Sequence, residues 1–260
     1  MRKCIVSLIL KYYTQLSEWG PQMQIVILAG GLGTRLSEET DLIPKPMVRI
    51  GNIPILHHIM NYYSKFGHTN FIIALGYKGE VIQKYFDSKI HNKIPPHWKI
   101  RLIDTGLNTS TGGRLKLLEN YLDNEFMLTY GDGLSNVDLD KLAYHHDQSK
   151  KIATVTAVRP PARFGSIEIA ESNLVSKFSE KDPQSSGWIN GGFFCFNKKI
   201  CSLLLDLHTS LESGPLNNLV EIQELNAYKH YGWWQPMDTL REKRILEEIW
   251  NTGDAPWVVD

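Results

Sequence analysis

An α/β fold with a Rossmann-like, mostly parallel sheet flanked by helices follows from three observations on the sequence. Short apolar runs alternate with amphipathic helical stretches from Met23 onward. The first of those runs passes directly into a glycine-rich loop, and the second half holds several short β-type runs separated by turn signals. The first half therefore predicts parallel strands joined by helices, and the C-terminal half a smaller antiparallel β extension.

Taken in order, "QIVILA" reads as a buried strand and "ILHHIMNYYSKF" as the helix that follows it. "NFIIAL" is a second strand, "EVIQKYF" a short helix, "WKIRLID" a third strand and "LKLLENYL" a further helix. "EFMLTYGDG" is a strand ending in a loop. In open parallel sheets ligands bind beyond the carboxyl ends of the strands, so the loops after Ala29 and Thr129 are expected to share one crevice, with Arg35 and Asp132 in it. "KIATVTAV", "FGSIEIA", "LVSKFSE" and "INGGFFCF" supply the later β-type runs, and "TLREKRILEEIW" a closing helix with Trp and Leu on one face.

No repeat, low-complexity stretch or flexible linker divides the chain, so residues 23–260 are expected to form a single domain. Residues 1–22 read as an N-terminal extension: the basic start and the run "CIVSLIL" imitate a signal peptide, but the run is too short to span a bilayer and no small-residue cleavage site follows.

With 260 residues, 42% of them hydrophobic, the chain can bury a sizeable core. Lys plus Arg equals Asp plus Glu at 28 each. No bulk field then draws the protein to nucleic acid or to an anionic membrane, neither is expected as a partner, and any anion site has to be local. Cys4, Cys195 and Cys201 lack metal-ligand spacing and are odd in number, which suits a reducing, cytoplasmic setting.

The loop "VILAGGLGTRL", Val26 to Leu36, departs from both common phosphate motifs. Leu36 stands where a dinucleotide fingerprint has its last glycine, and no Asp or Glu occurs between Asp41 and Glu80 to hold a ribose. A Walker A loop needs Lys and then Ser or Thr after its last glycine, but Thr34 and Arg35 follow Gly33. What remains is a strand-to-helix loop whose bare N–H groups can approach phosphates, with Arg35 adding a planar cationic fork. Lys45, between Pro44 and Pro46 in "PKPM", is expected in a stiff extended segment that aims its ammonium at the same anion. Asp132 in "TYGDG" and Asp238 in "WWQPMDT" are two turn-like aspartates that together can share a Mg²⁺ ion, a hard cation that keeps water and phosphate oxygens in its shell.

The strings "LAGGLGTRL", "PKPM", "TGGRLK", "YGDG", "EK", "NGGFF" and "WQPMDT", in that order, resemble the sugar-phosphate nucleotidyltransferases. Within them the chain is most similar to the cytidylyltransferase branch that acts on glucose 1-phosphate. The resemblance covers residues 23 to 260. It implies transfer of CMP from CTP to a sugar 1-phosphate, with release of pyrophosphate, Mg²⁺ as cofactor and a homo-oligomeric assembly; the product class generally feeds surface polysaccharides. It implies nucleotide binding by Leu28, Ala29, Gly30, Gly31, Leu32, Gly33 and Thr34, and by Thr111, Gly112, Gly113 and Arg114 around the pyrimidine and ribose. Arg35 and Lys45 would act on the triphosphate and Lys181 on the sugar phosphate. Glu180, Asn190 and Gly191 would meet the acceptor, and Asp132 and Asp238 the metal.

Three departures concern the acceptor side or subunit contacts. The connection "DSKIHNKIPPHW" is shorter than the branch usually carries, Gly214 replaces a second acidic residue after Glu212, and Asp182 replaces the proline after Lys181. A different phosphorylated acceptor, such as another hexose or heptose phosphate, is the alternative within enzymes, and a nucleotide-binding regulatory subunit the alternative outside them. His57, His58, His145 and His146 lack ligand-spaced partners and read as ordinary helix residues. Trp233 and Trp234 suit either a sugar face or the core, and Arg163 either the acceptor or a proline-stiffened turn.

Overall fold

A computed structural model of the chain describes residues 22–87, 94–160, 165–180 and 187–258. Its centre is a seven-stranded sheet whose strands lie in the order Leu225–Lys229, Ala153–Val158, Ile189–Asn197, Glu125–Tyr130, Gln24–Leu28, Asn70–Leu75 and Lys99–Asp104. β1 (Gln24–Leu28) lies between β4 (Asn70–Leu75) and β6 (Glu125–Tyr130) and runs parallel to both, and β5 (Lys99–Asp104) extends the sheet parallel to β4. Every residue of β1 is buried, as an apolar run covered on both faces requires. Ile25 and Ile27 enter one core and Val26 and Leu28 the other, the two-residue period of a strand sorting them to opposite faces.

The second half joins this sheet through a single reversed strand. β11 (Ile189–Asn197) is antiparallel to both β6 and β8 (Ala153–Val158), whereas β12 (Leu225–Lys229) returns to parallel pairing with β8. Phe193 and Cys195 of β11 enter one core, Phe194 and Phe196 the other. The antiparallel extension proper is a separate hairpin, β9 (Ser166–Ile169) with β10 (Val175–Ser179). Two small ribbons complete the set, β2 (Arg49–Ile50) with β3 (Ile53–Pro54), and β7 (Gly133–Ser135) with β13 (Trp234–Pro236).

Helices cover both faces. α1 (Ile55–Lys65), α4 (Leu139–Ser149) and α6 (Leu240–Asn251) contribute to the first core, with α2 (Gly79–Asp87) beside them through Ile82. α3 (Thr111–Leu117) and α5 (Pro215–Glu221) contribute to the second. The sequence pattern starts the α3 region at Leu115; the helix instead begins at Thr111 and is followed by a 3-10 turn, Glu119–Tyr121. Gly112 and Gly113 are poor helix formers, but a side chain on either would strike the backbone of residues 207–211, so close packing overrides propensity there.

The four histidines are held by the fold. His57 Nδ1 pairs with the Tyr85 hydroxyl at 2.6 Å, and His58 takes Ile50 O and the Trp257 indole N–H. His146 meets the Thr154 hydroxyl at 2.8 Å, and His145 meets Ala227 O at 3.2 Å. Cys195 and Cys201 are buried and free, their thiol pKa values pushed up by burial, Cys201 to about 11. No described helix is long and apolar enough to cross a membrane. Residues 1–21, with Cys4, lie outside the described residues, as do Arg163, Lys181 and Asp182.

Candidate active site

The carboxyl ends of β1 and β6 and the start of β11 open on one cavity of about 650 Å³, large enough for a nucleotide and a small partner. The loop after β1 forms one wall. Gly30 O accepts hydrogen bonds from Tyr77 N at 3.1 Å and from the Arg114 guanidinium at 2.9 Å, and a Cβ at Gly30 would overlap that guanidinium. Gly33 is left-handed, with φ +65°, and the Thr40 hydroxyl closes the loop by donating to Gly33 O and Leu36 O. At Gly31, by contrast, a Cβ would meet open space. Two of the three glycines are thus demanded by the protein, and the third leaves backbone bare toward the cavity. Leu28, Ala29, Gly30, Gly31, Gly33 and Thr34 all line it, whereas Leu32 is exposed beside it. Arg35 sits in the 3-10 turn Thr34–Leu36; its side chain lies outside the described part of the structure.

Lys45 does not lie in an extended segment as its flanking prolines suggest. Pro44 is extended, but Lys45 opens a 3-10 turn to Met47, closed by Met47 N donating to Pro44 O at 2.8 Å. Pro46 falls in the first turn, where its missing N–H has no partner to lose. The turn buries the lysine and sets its Nζ between two carboxylates, 2.6 Å from Asp132 Oδ2 and 2.5 Å from Asp238 Oδ1. Burial pulls the ammonium's pKa down, but the charges and hydrogen bonds of Asp132 and Asp238 more than offset this, and it ends above the ordinary lysine value.

The meeting of residues so distant in sequence is made by the β7/β13 ribbon. Asp132 immediately precedes β7 and Asp238 follows β13, and the antiparallel register sets Pro236 opposite Gly133. Met237 N then donates to Asp132 O at 2.8 Å, while Asp238 N donates to the Glu242 carboxylate at 2.7 Å. Gly131 packs where a side chain would crowd Pro46 and Leu28 O, so the strand end, the lysine turn and the glycine loop are held in mutual contact.

Thr111 and Arg114 of α3 line the cavity, but Gly112 and Gly113 turn to the 207–211 segment instead. Arg114 is 4% exposed and donates to Leu75 O, the Thr105 hydroxyl, Gly106 O and Gly30 O at 2.6 to 2.9 Å. Asn190 and Gly191 lie on β11 at the far wall, where Gly191 O accepts from the Trp234 indole at 2.7 Å. Trp234 therefore belongs to the cavity, and Trp233 to the core, where it stacks on Trp257. Glu180 ends the exposed hairpin next to Gly165 and is not among the residues lining the cavity. Tyr130 and Glu212 also line the cavity without a site role assigned to them from the sequence; the "YGDG" string contains the first, and only the fold brings the second to it.

Among the described residues there is no cluster of three or more His, Cys, Asp or Glu side chains suited to a metal. The donor set at Asp132 and Asp238 nonetheless fits a hard divalent cation, which is commonly held by one or two carboxylates and completed by water and substrate phosphates.

A bare-backbone loop at a strand end, a buried lysine and paired aspartates in one crevice of an α/β sheet define a nucleotide-handling phosphoryl-transfer enzyme. The chain belongs to the nucleotidyl transferase family, which it matches over residues 24–231. It is 45% identical over 254 residues to a glucose-1-phosphate cytidylyltransferase of Salmonella typhi, across 90% of this chain and 98% of that one. It is 41% identical over 256 residues to a probable glucose-1-phosphate cytidylyltransferase of Bacillus subtilis (strain 168), across 91% and 100%. HddC from Yersinia pseudotuberculosis, solved in complex with GMP-PN, matches the structure with a TM-score of 0.67 at 27% identity, covering 88% of this chain and 99% of that one. The protein is a nucleotidyltransferase, and its family membership implies a mechanism that depends on a divalent cation.

Proposed function

We propose that the protein transfers CMP from CTP to glucose 1-phosphate, yielding CDP-glucose and pyrophosphate, with Mg²⁺ as the cation. The observation that carries the reading is the buried Lys45 ammonium between Asp132 and Asp238, set beside the glycine loop. The choice of CTP and glucose 1-phosphate is supported by the 45% identity over nearly the full length of a glucose-1-phosphate cytidylyltransferase.

A phosphate oxygen of the acceptor attacks the α-phosphorus of CTP, the new O–P bond forms, and the bond from that phosphorus to the bridging oxygen of pyrophosphate breaks. The nucleophile is already an anion, so no general base is needed. The task of the protein is to bring two polyanions together and to stabilise the crowded transition state. The loop from Leu28 to Thr34 cradles the phosphates, Arg35 and Lys45 neutralise the triphosphate, and Lys181 meets the acceptor's phosphate. Asp132 and Asp238 would hold Mg²⁺, which when bound supplies charge neutralisation at the phosphates. Thr111 lies on the nucleotide side, Arg114 acts by fixing Gly30, and Asn190 and Gly191 serve the acceptor. A cytoplasmic homo-oligomer completes the proposal.

The test is pyrophosphate release by purified protein with Mg²⁺, glucose 1-phosphate and each of CTP, UTP, TTP, ATP and GTP in turn. Release with CTP alone is the expected result. Release with another nucleotide, or with none, would overturn the assignment of substrate.

A further inference from the structure

Thr111 is on the wall read as nucleotide-facing and Asn190 on the wall read as acceptor-facing, yet one continuous chain of hydrogen bonds joins them. The half-buried Glu212 sits two residues before Gly214 on the turn that leads into α5. Its Oε2 accepts from the Thr111 hydroxyl at 2.7 Å and its Oε1 from the Tyr130 hydroxyl. The Tyr130 oxygen in turn accepts from Asn190 Nδ2 at 3.3 Å, and Asn190 Oδ1 accepts from Gly192 N at 2.8 Å.

Direction matters in this chain. An ionised carboxylate can only accept, so both hydroxyl protons must point at Glu212. With its proton committed, the Tyr130 oxygen has only lone pairs left for Asn190. Gly192 N, a donor, fixes the other end of the amide. Both ends of Asn190 are therefore assigned, and one amide N–H is left outside these bonds. A carboxylate in a cavity meant for two polyanions is an electrostatic cost, which the two donated hydroxyl protons offset.

We propose that Glu212 is a positioning residue: through the Tyr130 hydroxyl it orients the Asn190 amide toward the sugar phosphate, and through Thr111 it ties that orientation to the nucleotide wall. The proposal rests on the acceptor reading of Asn190 given above.

Three variants separate this from a merely structural pair. Tyr130→Phe removes the link, Glu212→Ala removes its origin, and Glu212→Gln keeps an oxygen able to take the Tyr130 proton. Losing one well-aligned hydrogen bond corresponds to a factor of about ten, so Tyr130→Phe and Glu212→Ala should each raise KM for glucose 1-phosphate about tenfold. Glu212→Gln should stay within about threefold of the wild type, because the bond it retains is the one that matters. The Tyr130→Phe/Glu212→Ala double variant should match Glu212→Ala alone, as expected of residues acting through one chain. CTP affinity, measured by calorimetry without acceptor, should be unchanged in Tyr130→Phe. The Asn190 side-chain amide resonances should move in Tyr130→Phe and Glu212→Ala and hold in Glu212→Gln.

An unchanged acceptor KM in Tyr130→Phe would overturn the proposal, as would equal losses in CTP affinity and acceptor KM. Should the wild type not use glucose 1-phosphate, the functional reading fails on its own. The Asn190 resonances then decide: movement in the two severing variants supports the relay, and none sinks it.

Discussion

Arg114 shows how a charged residue in a binding motif can be spent entirely on the protein. Its guanidinium is buried against four oxygens, those of Gly30, Leu75, Thr105 and Gly106, and it occupies the space that a side chain at position 30 would need. Gly30→Ala should therefore displace it. Overpacking of this kind costs about 1–3 kcal/mol, and the damage should appear both as a lower melting temperature and as weaker CTP binding in the same titration. Gly31→Ala, with open space at its Cβ, should leave the melting temperature alone. Lys45 is the opposite case, a buried charge whose partners are both within 2.6 Å. Lys45→Met leaves two carboxylates facing each other. Turnover should fall by a factor of about 10² or more, the usual scale for removing a charge-stabilising donor at a phosphoryl-transfer site. A variant of near wild-type turnover would refute the role given to that ammonium.

Among the elements, the β7/β13 ribbon and α6 work as one device. α6 begins with a reciprocal capping box: the Thr239 hydroxyl accepts from Glu242 N at 3.3 Å, and the Glu242 carboxylate accepts from Thr239 N at 3.0 Å. The same carboxylate takes Asp238 N, so the helix cap also holds the backbone of an aspartate in the site. The two halves of the box should separate experimentally. Thr239→Ala should cost about 1 kcal/mol of stability, read from urea unfolding, with turnover little changed. Glu242→Ala should cost stability and turnover together, since it also releases Asp238. Equal effects of the two substitutions on turnover would contradict this division.

For the molecule as a whole, neutral buried histidines contribute to the loss of stability in acid. Burial lowers the pKa of His68 to about 4 and also lowers those of His58 and His230. A histidine depressed in the folded state binds its proton more readily when unfolded. Its stabilisation is thus fully present above the unfolded value of about 6.5 and is lost as pH falls toward the folded value. For His68 alone the loss at pH 5 is about 2 kcal/mol. The melting temperature should fall between pH 7 and pH 5, and His68→Phe should show a shallower fall; parallel curves would remove His68 from the account.

What the sequence determined by itself is the part governed by local periodicity and loop chemistry. β1, β4 and β6 stand where the apolar runs predict them, α1, α2 and α6 follow the amphipathic stretches, and the glycine loop falls at the carboxyl end of β1. Lys45, Asp132 and Asp238 were legible as residue types suited to a phosphate and a cation. Their contact was not, because it depends on the pairing of two three-residue strands a hundred positions apart, and register between distant strands leaves no local signal. The same limit hid the contacts of Glu212 with Thr111 and Tyr130, the inward turn of Gly112 and Gly113, and the commitment of Arg114 to the protein's own oxygens. Each was decided by which surfaces close-packed in three dimensions, a property of the assembled sheet and its two cores rather than of any stretch of chain.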